Sequence, residues 1–249
     1  MPDTDVAALV SDIRRRADEA RDRIAAACDR AGRDPGAVRL VAVSKTFPIE
    51  VVQAGIEAGL TDFGENRVQE LEEKAGAIPG AVSGGAIRWH LIGPLQRNKA
   101  KKTLEHADLF HALDSDRLAK ELDKRAADAE RVFPCFVQVN VSDEDTKSGL
   151  APADVHAFLD RLAAFEHLRI VGLMTLAEPV DTEDDLETVV RPQFRRLRTL
   201  AETYDASANP HVDLRRLSMG MSGDFEVAVE EGATDVRLGS ALFGERPIG

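Results

Sequence analysis

The chain has 249 residues, of which 43% are hydrophobic, which is enough for one large core and is a common length for a single closed α/β barrel. Its 44 acidic and 32 basic residues give a formal net charge of −12, which excludes nucleic acid and anionic membranes as general partners. Because no apolar run approaches about 18 residues and the amino terminus lacks a signal-peptide core, we expect a soluble, cytoplasmic protein.

One long helix, followed by strands that alternate with helices, is predicted along the chain. Apolar residues recur every three or four positions over residues 5–31, which predicts an amphipathic helix that ends at Gly32 and Pro35. Eight short apolar runs predict strands, at residues 39–44, 62–64, 87–92, 109–113, 135–141, 169–174, 214–218 and 235–239. Helical periodicity predicts further helices, at residues 49–58, 67–75, 97–104, 117–129, 152–164, 186–204 and 223–231.

This alternation predicts a closed barrel. Strands joined through helices pair in parallel with right-handed crossovers, and eight such strands close a (β/α)8 barrel. An open doubly wound sheet usually has fewer strands and a glycine-rich first turn, whereas this chain has SKTFP, residues 44–48, after its first strand. We therefore predict the α/β class and a single (β/α)8 TIM-barrel domain over residues 1–249, with the helix of residues 1–35 packed on the barrel.

The two cysteines do not indicate a disulfide or a metal site. Cys28 lies within a helical pattern and Cys135 within an apolar run, so both are expected to be buried, reduced thiols. Neither has a partner at metal-ligand spacing, and no metal site is predicted.

Lys45 draws attention because it follows the first predicted strand. Val41, Val43 and Lys45 share one face of an alternating strand. If that face points into the barrel, burial favours the neutral amine, which can attack a carbonyl carbon. A rim lysine whose charge stays in water is the alternative that the spacing leaves open.

Two turns of small residues near the end of the chain are typical of an anion site. Ser218, Gly220 and Ser222 follow the seventh predicted strand, and Gly239 and Ser240 follow the eighth. Glycines let backbone N–H groups approach an anion, and the loops after strands seven and eight are the usual phosphate site of this barrel. Ordinary turns use the same residue types, so either turn alone would be a weak signal.

Arg237 is expected to point into the barrel, because Val236 and Leu238 occupy the outer, apolar face of the last strand. Asp235 is one candidate partner for this cation, and an atom of a ligand is the other. A reactive amine, a phosphate cradle and an inward cation together indicate a phosphorylated aldehyde, such as pyridoxal 5′-phosphate (PLP) joined to Lys45 as a Schiff base. A class I aldolase that acts on a sugar phosphate is the alternative.

Segments along nearly the whole chain resemble the PLP homeostasis protein family, also called the YggS/PROSC or PLP-binding protein family. They run from residue 40 to residue 244 in the family's order: LVAVSKTFP, DFGENRVQE, RWHLIGPLQRNK, VNVSDEDTKSG, GLMTLA and LSMGMSGDFEVAVEEGATDVRLGSALFG. The resemblance implies the fold of the alanine racemase N-terminal domain and PLP as the cofactor.

The resemblance also implies roles for particular residues. Lys45 is similar to the lysine that holds PLP covalently, and Arg237 to the arginine that faces the pyridine nitrogen. The other implied cofactor-binding residues are Asn66, His90 and Met174 around the ring and, in the phosphate turns, Ser218, Gly220, Gly239 and Ser240.

The implied function is the binding of PLP without robust catalysis. An arginine opposite the pyridine nitrogen disfavours its protonation, which makes the ring a weak electron sink. Racemases of similar fold use a tyrosine from a second domain, whereas the one tyrosine here, Tyr204, ends a predicted outer helix. The family resemblance therefore implies a monomeric protein for intracellular PLP homeostasis that buffers PLP and delivers it to apo PLP-dependent enzymes. A weak amino-acid racemase or another PLP-dependent enzyme is the alternative.

Overall fold

Every predicted strand is present in the computed structural model of the chain, which describes residues 3–78, 87–142 and 148–245. Residues 79–86, which are rich in glycine and alanine, and residues 143–147 of the VNVSDEDTKSG segment lie outside the described residues. The strands are β1 Arg39–Val43, β2 Asp62–Glu65, β3 Arg88–Leu91, β4 Leu109–Leu113, β5 Phe133–Gln138, β6 Leu168–Met174, β7 Val212–Ser218 and β8 Asp235–Leu238.

The predicted helices are also confirmed, with small shifts at their ends. They are α1 Asp3–Ala31, α2 Ile49–Glu57, α3 Val68–Ala77, α4 Ala100–His106, α5 Asp116–Asp128, α6 Val155–Arg161, α7 Glu183–Asp185, α8 Arg191–Thr203 and α9 Phe225–Glu230. A four-residue helix that was not predicted, α10 Ser240–Phe243, follows β8. A π-helical turn, Leu186–Val190, joins α7 to α8 just before Pro192, which has no backbone N–H to continue a regular ladder.

The eight strands close into a barrel in chain order, and all of the pairings are parallel. The predicted (β/α)8 barrel is therefore correct. Closure pairs β8 with β1, with Val41 opposite Arg237 and Ala42 opposite Leu238. Because parallel strands all run in the same direction, the turns after β7, β8 and β1 meet at one end of the barrel. We call this end the carboxyl end and the opposite end the floor.

The long helix α1 packs along the outside of the barrel against α2, α9 and α10. Its buried stripe contains Ile13, Ala17, Ala20 and Ile24, spaced by three or four residues as the sequence pattern predicts. Two ion pairs at its exposed edge join α1 to α9: Arg23 with Glu226 at 2.8 Å and Arg30 with Glu230 at 2.6 Å.

The interior of the barrel contains polar side chains at positions where barrels of this class usually carry branched apolar ones. The outer faces of the strands pack apolar residues such as Phe63 and Trp89 against the helices, and Cys28 and Cys135 are buried, free thiols as predicted. Side chains buried together with this core include Asp62, His90, His111, Asp235 and Arg237. Buried polar groups require partners, and the partners of these residues define the candidate site.

Candidate functional site

The turn that carries Lys45 begins directly after β1. Lys45 lies two residues beyond the end of that strand. Its side chain is half-buried, so its exposure is intermediate between that of a lysine inside the barrel and that of a lysine at the rim. The next residue, Thr46, has a φ of 68°, which is uncommon for a β-branched residue, and its backbone N–H donates to Glu70 Oε2 at 2.7 Å. The backbone at the candidate lysine is therefore held in a specific, strained turn.

A buried ion pair lies beneath this turn. Lys74 Nζ, from α3, donates to Glu65 Oε1 at 2.7 Å and to the Ser44 carbonyl at 2.8 Å. The Ser44 hydroxyl donates to the same carboxylate oxygen at 2.7 Å, whereas Glu65 Oε2 is buried without a hydrogen-bond partner among the described residues. Burial raises the pKa of Glu65, and the bonds from Lys74 and Ser44 only partly offset this effect. The pair ties the Lys45 turn to β2 and α3.

The Lys45 turn is in contact with the turn after β8. The rings of Phe47 and Phe243 pack with their centroids 5.4 Å apart, which joins the β1 turn to α10. A Cβ atom built on Gly239 would lie 3.5 Å from the Val43 carbonyl oxygen, so the two strand ends are adjacent. The structure thus brings together Lys45 and the predicted phosphate turn at Gly239 and Ser240, which are almost two hundred residues apart in the sequence.

The turns after β7 and β8 meet at one serine hydroxyl. The backbone N–H groups of Gly239 and Ala241 both donate to Ser222 Oγ, at 3.3 and 3.2 Å. Gly220 has a φ of 94°, and a Cβ atom there would lie 2.6 Å from the Cβ of Ala228, so this tight approach to α9 needs glycine. Two converging N–H donors beside an exposed Ser240 fit a phosphate oxygen, and Ser222 is the residue of this cradle that the predicted site set omitted.

Arg237 points into the barrel as predicted and is buried. Its Nη1 donates to Ser218 Oγ at 2.6 Å and its Nη2 to the Thr175 carbonyl at 2.7 Å. Burial lowers the pKa of Arg237 to about 10, so the guanidinium remains charged at neutral pH. The suggestion that Asp235 pairs with it is wrong, because Asp235 is bound by Arg216 and Arg39.

The Ser218 hydroxyl and both ring nitrogens of His90 have protein partners in the structure. The Ser218 hydroxyl is bonded to Arg237 and lies 2.8 Å from Nδ1 of His111, a residue that sequence analysis did not select. His90 is held between His111, at 2.9 Å, and Asp62, at 3.0 Å, so both of its ring nitrogens already have partners. The alternation of LFHAL in β4 is the one sequence signal that places His111 on an interior face, and alternation does not identify its partners.

The other two predicted site residues also lie at the carboxyl end. Met174 ends β6, is buried, and pairs with Ser218 on β7. Asn66 is half-buried directly after β2, and Gly93 packs so closely on it that an added Cβ atom would lie 2.4 Å from the Asn66 carbonyl oxygen. All nine predicted positions therefore lie on or just after β1–β3 and β6–β8.

Tyr204 lies outside this group. It follows α8, whose carboxyl end leads into β7 and is thus at the floor of the barrel. Its hydroxyl donates to Asp160 at 3.0 Å, and burial together with this carboxylate raises its pKa to about 12. A proton-transferring role at Lys45 is incompatible with this position.

Neither a metal centre nor a membrane span is found in the part of the chain that the structure describes. No group of three or more His, Cys, Asp or Glu side chains there could hold a metal ion. No helix in the same residues is both long and apolar enough to cross a membrane.

Comparisons with known proteins agree with this geometry. The profile of the alanine racemase N-terminal domain family matches residues 17–247. A pyridoxal phosphate homeostasis protein of Aquifex aeolicus is 42% identical over 225 residues, which cover 90% of this chain and 94% of the relative.

Solved structures of similar proteins have the same fold. PipY of Synechococcus elongatus, solved with PLP bound, is 36% identical with a TM-score of 0.76, and the match covers 90% of this chain and 99% of PipY. Alanine racemase of Clostridium difficile has a TM-score of 0.71 at 13% identity, over 95% of this chain and 57% of the racemase, which is a similarity of fold alone.

Proposed function

The chain belongs to the alanine racemase N-terminal domain family and, within it, to the pyridoxal phosphate homeostasis proteins, and from this we propose that it binds PLP at the carboxyl end of its barrel. Relatives that share 34–42% identity carry the homeostasis name, and PipY has been solved with PLP bound. The proposed role is to buffer PLP and to deliver it inside the cell.

The contact between the Lys45 turn and the turn after β8 carries this proposal. PLP supplies a reactive aldehyde, a pyridine ring and a phosphate. Lys45 would provide the amine that condenses with the aldehyde, forming a C=N bond and releasing one water molecule. The Phe47–Phe243 contact holds the turn that carries this amine against the phosphate turn, which suits a ligand with a reactive group at one end and an anion at the other.

The phosphate would be held by the turns after β7 and β8. The N–H groups of Gly239 and Ala241 both donate to Ser222 Oγ and would donate to a phosphate oxygen that takes the place of this hydroxyl, with the exposed Ser240 beside them. Gly220 allows the preceding turn to pack closely enough to place Ser222. The Ser218 hydroxyl is occupied by Arg237 and His111, so we assign Ser218 to the support of Arg237.

Arg237 would face the pyridine nitrogen and donate to it. A guanidinium cation at this position disfavours a protonated ring nitrogen, so the ring withdraws electrons weakly. Asn66 and Met174 would line the ring, with His90 behind them. This arrangement suits a carrier better than a racemase, and the position of Tyr204 at the floor supports the same choice.

The expected partners are PLP itself and the apo forms of PLP-dependent enzymes, and we expect the chain to act as a monomer in a single 1–249 domain in the cytoplasm. Delivery requires that the cofactor be held reversibly, which an imine that water can hydrolyse permits.

Borohydride reduction tests the covalent proposal. The protein loaded with PLP and reduced is expected to carry one stable adduct on the peptide that contains Lys45, located by peptide mass spectrometry. Lys45→Ala is expected to lose this adduct, while the matched variant Lys101→Ala, at a lysine 73% exposed on α4, keeps it. An equally abundant adduct in Lys45→Ala, or turnover of amino acids at ordinary enzyme rates, would contradict the proposal.

A further inference from the structure

A continuous row of hydrogen bonds crosses the interior of the barrel from Arg237 to the floor. Arg237 Nη1 meets Ser218 Oγ at 2.6 Å, and the same oxygen lies 2.8 Å from His111 Nδ1 on β4. His111 Nε2 lies 2.9 Å from His90 Nδ1, and His90 Nε2 lies 3.0 Å from Asp62 Oδ1. We call these five residues the buried relay, and none of them is more than 4% exposed.

The two ends of the buried relay fix the direction of every bond within it. Arg237 can only donate, so Ser218 Oγ accepts from it and has one hydrogen left to give to His111 Nδ1. Asp62, at the other end, can only accept while it is ionised, so His90 Nε2 must carry a hydrogen. A neutral His90 then has a bare Nδ1, to which His111 Nε2–H donates.

The opposite direction is chemically worse. If His111 carried its hydrogen on Nδ1, its bare Nε2 would require a doubly protonated His90, and the Ser218 hydroxyl would lose its acceptor. Burial, and the positive charges of Arg237, Arg216 and Arg39 that face it, hold the pKa of His111 well below its usual value. A neutral His111 with its hydrogen on Nε2 is the state that satisfies every atom.

The negative end of the relay is held ionised. Burial opposes the charge on Asp62, but bonds from His90 and from Arg88, at 2.7 Å, outweigh burial and hold its pKa well below the usual range. Arg39 adds a contact at 3.3 Å. A cation at one end and a carboxylate at the other therefore polarise the four bonds in the same direction.

We infer that His111 and His90 are positioning residues for the cofactor, which act through Ser218 to hold Arg237 charged and oriented toward the pyridine ring. This inference rests on the proposed PLP site. The relay gives the buried guanidinium a polarised hydroxyl acceptor in place of a carboxylate bonded directly to it, and neither of its two bonds uses Nε. The carboxylates of Asp224 and Asp235 also act on Arg237, but only through space, and Asp62 lies four hydrogen bonds away.

The first test uses the protein without cofactor. Ring-nitrogen NMR of isotope-labelled protein is expected to show both His111 and His90 neutral at neutral pH, each with its hydrogen on Nε2. Assignments follow from the signals lost in His111→Asn and His90→Asn. A hydrogen on His111 Nδ1, or a doubly protonated His90, would overturn the directional relay whether or not the protein binds PLP.

The second test follows the pH midpoint of the visible absorbance of the PLP-loaded protein. His111→Leu removes the acceptor of Ser218 and is expected to raise the midpoint by about half a pH unit, because Arg237, no longer held charged and oriented toward the ring, then disfavours the protonated Lys45–PLP linkage less. His111→Asn can keep an acceptor for Ser218 but cannot reach His90, and it is expected to shift the midpoint in the same direction.

His156→Asn is the matched control, since His156 makes one bond to the Leu200 carbonyl on the outside of the barrel and is expected to leave the midpoint unchanged. Thermal unfolding of every variant identifies any that fail to fold, and the NMR test of the wild-type protein uses variants only to assign its signals. An unchanged midpoint in folded, PLP-loaded His111→Leu would refute the positioning role. A wild-type protein that takes up no PLP would instead refute the proposed function.

Discussion

Lys74 is a second lysine at the candidate site, and its surroundings assign it a structural role. It is buried and bonded to Glu65 and to the Ser44 carbonyl, directly beneath the turn that carries Lys45. A buried pair of this kind adds little net stability, but the loss of one partner leaves the other charge buried without compensation. The pair thus keeps a second amine occupied next to Lys45.

Replacing Lys74 by methionine is expected to lower the free energy of unfolding by about 3–5 kcal/mol at neutral pH. The pKa of Glu65 is already raised by burial, so this carboxyl favours the fold most when protonated, and its cost appears as the pH rises through its folded pKa. Urea unfolding at several pH values should show the loss shrinking as the pH falls toward that pKa. Lys74→Met with Glu65→Gln should recover most of the loss, and a loss that is independent of pH would contradict the assignment.

The direction of a side chain on a strand could be predicted from the sequence, whereas its hydrogen-bond partners inside the barrel could not. The inward direction of Arg237 follows from strand alternation, because its neighbours Val236 and Leu238 must face the helices. The bond between His111 and Ser218 joins β4 to β7 across the interior, so it depends on barrel closure and on side-chain rotamers. The same closure places the Ser218 hydroxyl against Arg237 and His111, and the role of Ser218 in the phosphate turns stays a prediction.

At the scale of the elements, α1 was predicted well, since its apolar stripe is long and regular. The structure adds that this stripe packs on the helices beside β1 and β8. Lys45 and Gly239 lie in the turns that follow these two strands. The short elements were harder to predict: α10 has four residues, and the π-helical turn before α8 depends on Pro192 and on packing. Short helices have little periodicity from which to infer them.

Ile13→Ala is expected to lower the free energy of unfolding by about 2–5 kcal/mol, because Ile13 is fully buried in the α1 stripe and the substitution leaves a cavity. Glu19→Ala is the matched control on the exposed face of the same helix and is expected to change stability by no more than about 0.5 kcal/mol. Denaturant unfolding measures both variants. Equal stabilities would show that α1 is not docked on the barrel.

The whole molecule combines three polar layers inside one barrel: the ligand turns at the carboxyl end, the buried relay, and an ionic floor. The ionic layer at the floor consists of Asp62 and Asp235 with the arginines that bind them, Arg39, Arg88 and Arg216. Strand periodicity predicted the barrel because the eight apolar runs are individually clear, but it did not predict this floor. Each floor charge comes from a different strand, and only the register of the closed barrel shows which charges meet.

Asp235→Asn tests whether the floor stabilises the fold. Asp235 is fully buried and binds Arg39 and Arg216, which are 31% and 27% exposed, so we expect a loss of about 1.5–3 kcal/mol at neutral pH. Burial opposes the charge on Asp235, but the bonds from Arg216 outweigh it and lower its pKa. Its contribution is therefore complete above the unfolded value of about 3.9 and disappears as the pH falls through the folded pKa.

The wild-type protein and Asp235→Asn should therefore differ in unfolding free energy at neutral pH and converge as the solution is made more acidic than about pH 4. Asp213→Asn is the matched control: Asp213 binds Arg215, also on β7, but is 27% exposed and pairs with an arginine that is 86% exposed. Such a surface pair is worth no more than about 1 kcal/mol. If both variants lost the same stability, the floor would be no more than surface charge pairing. A larger loss of unfolding free energy in Asp235→Asn alone, and one that disappears in acid, would show that these charges stabilise the strands that carry Arg237 and the buried relay.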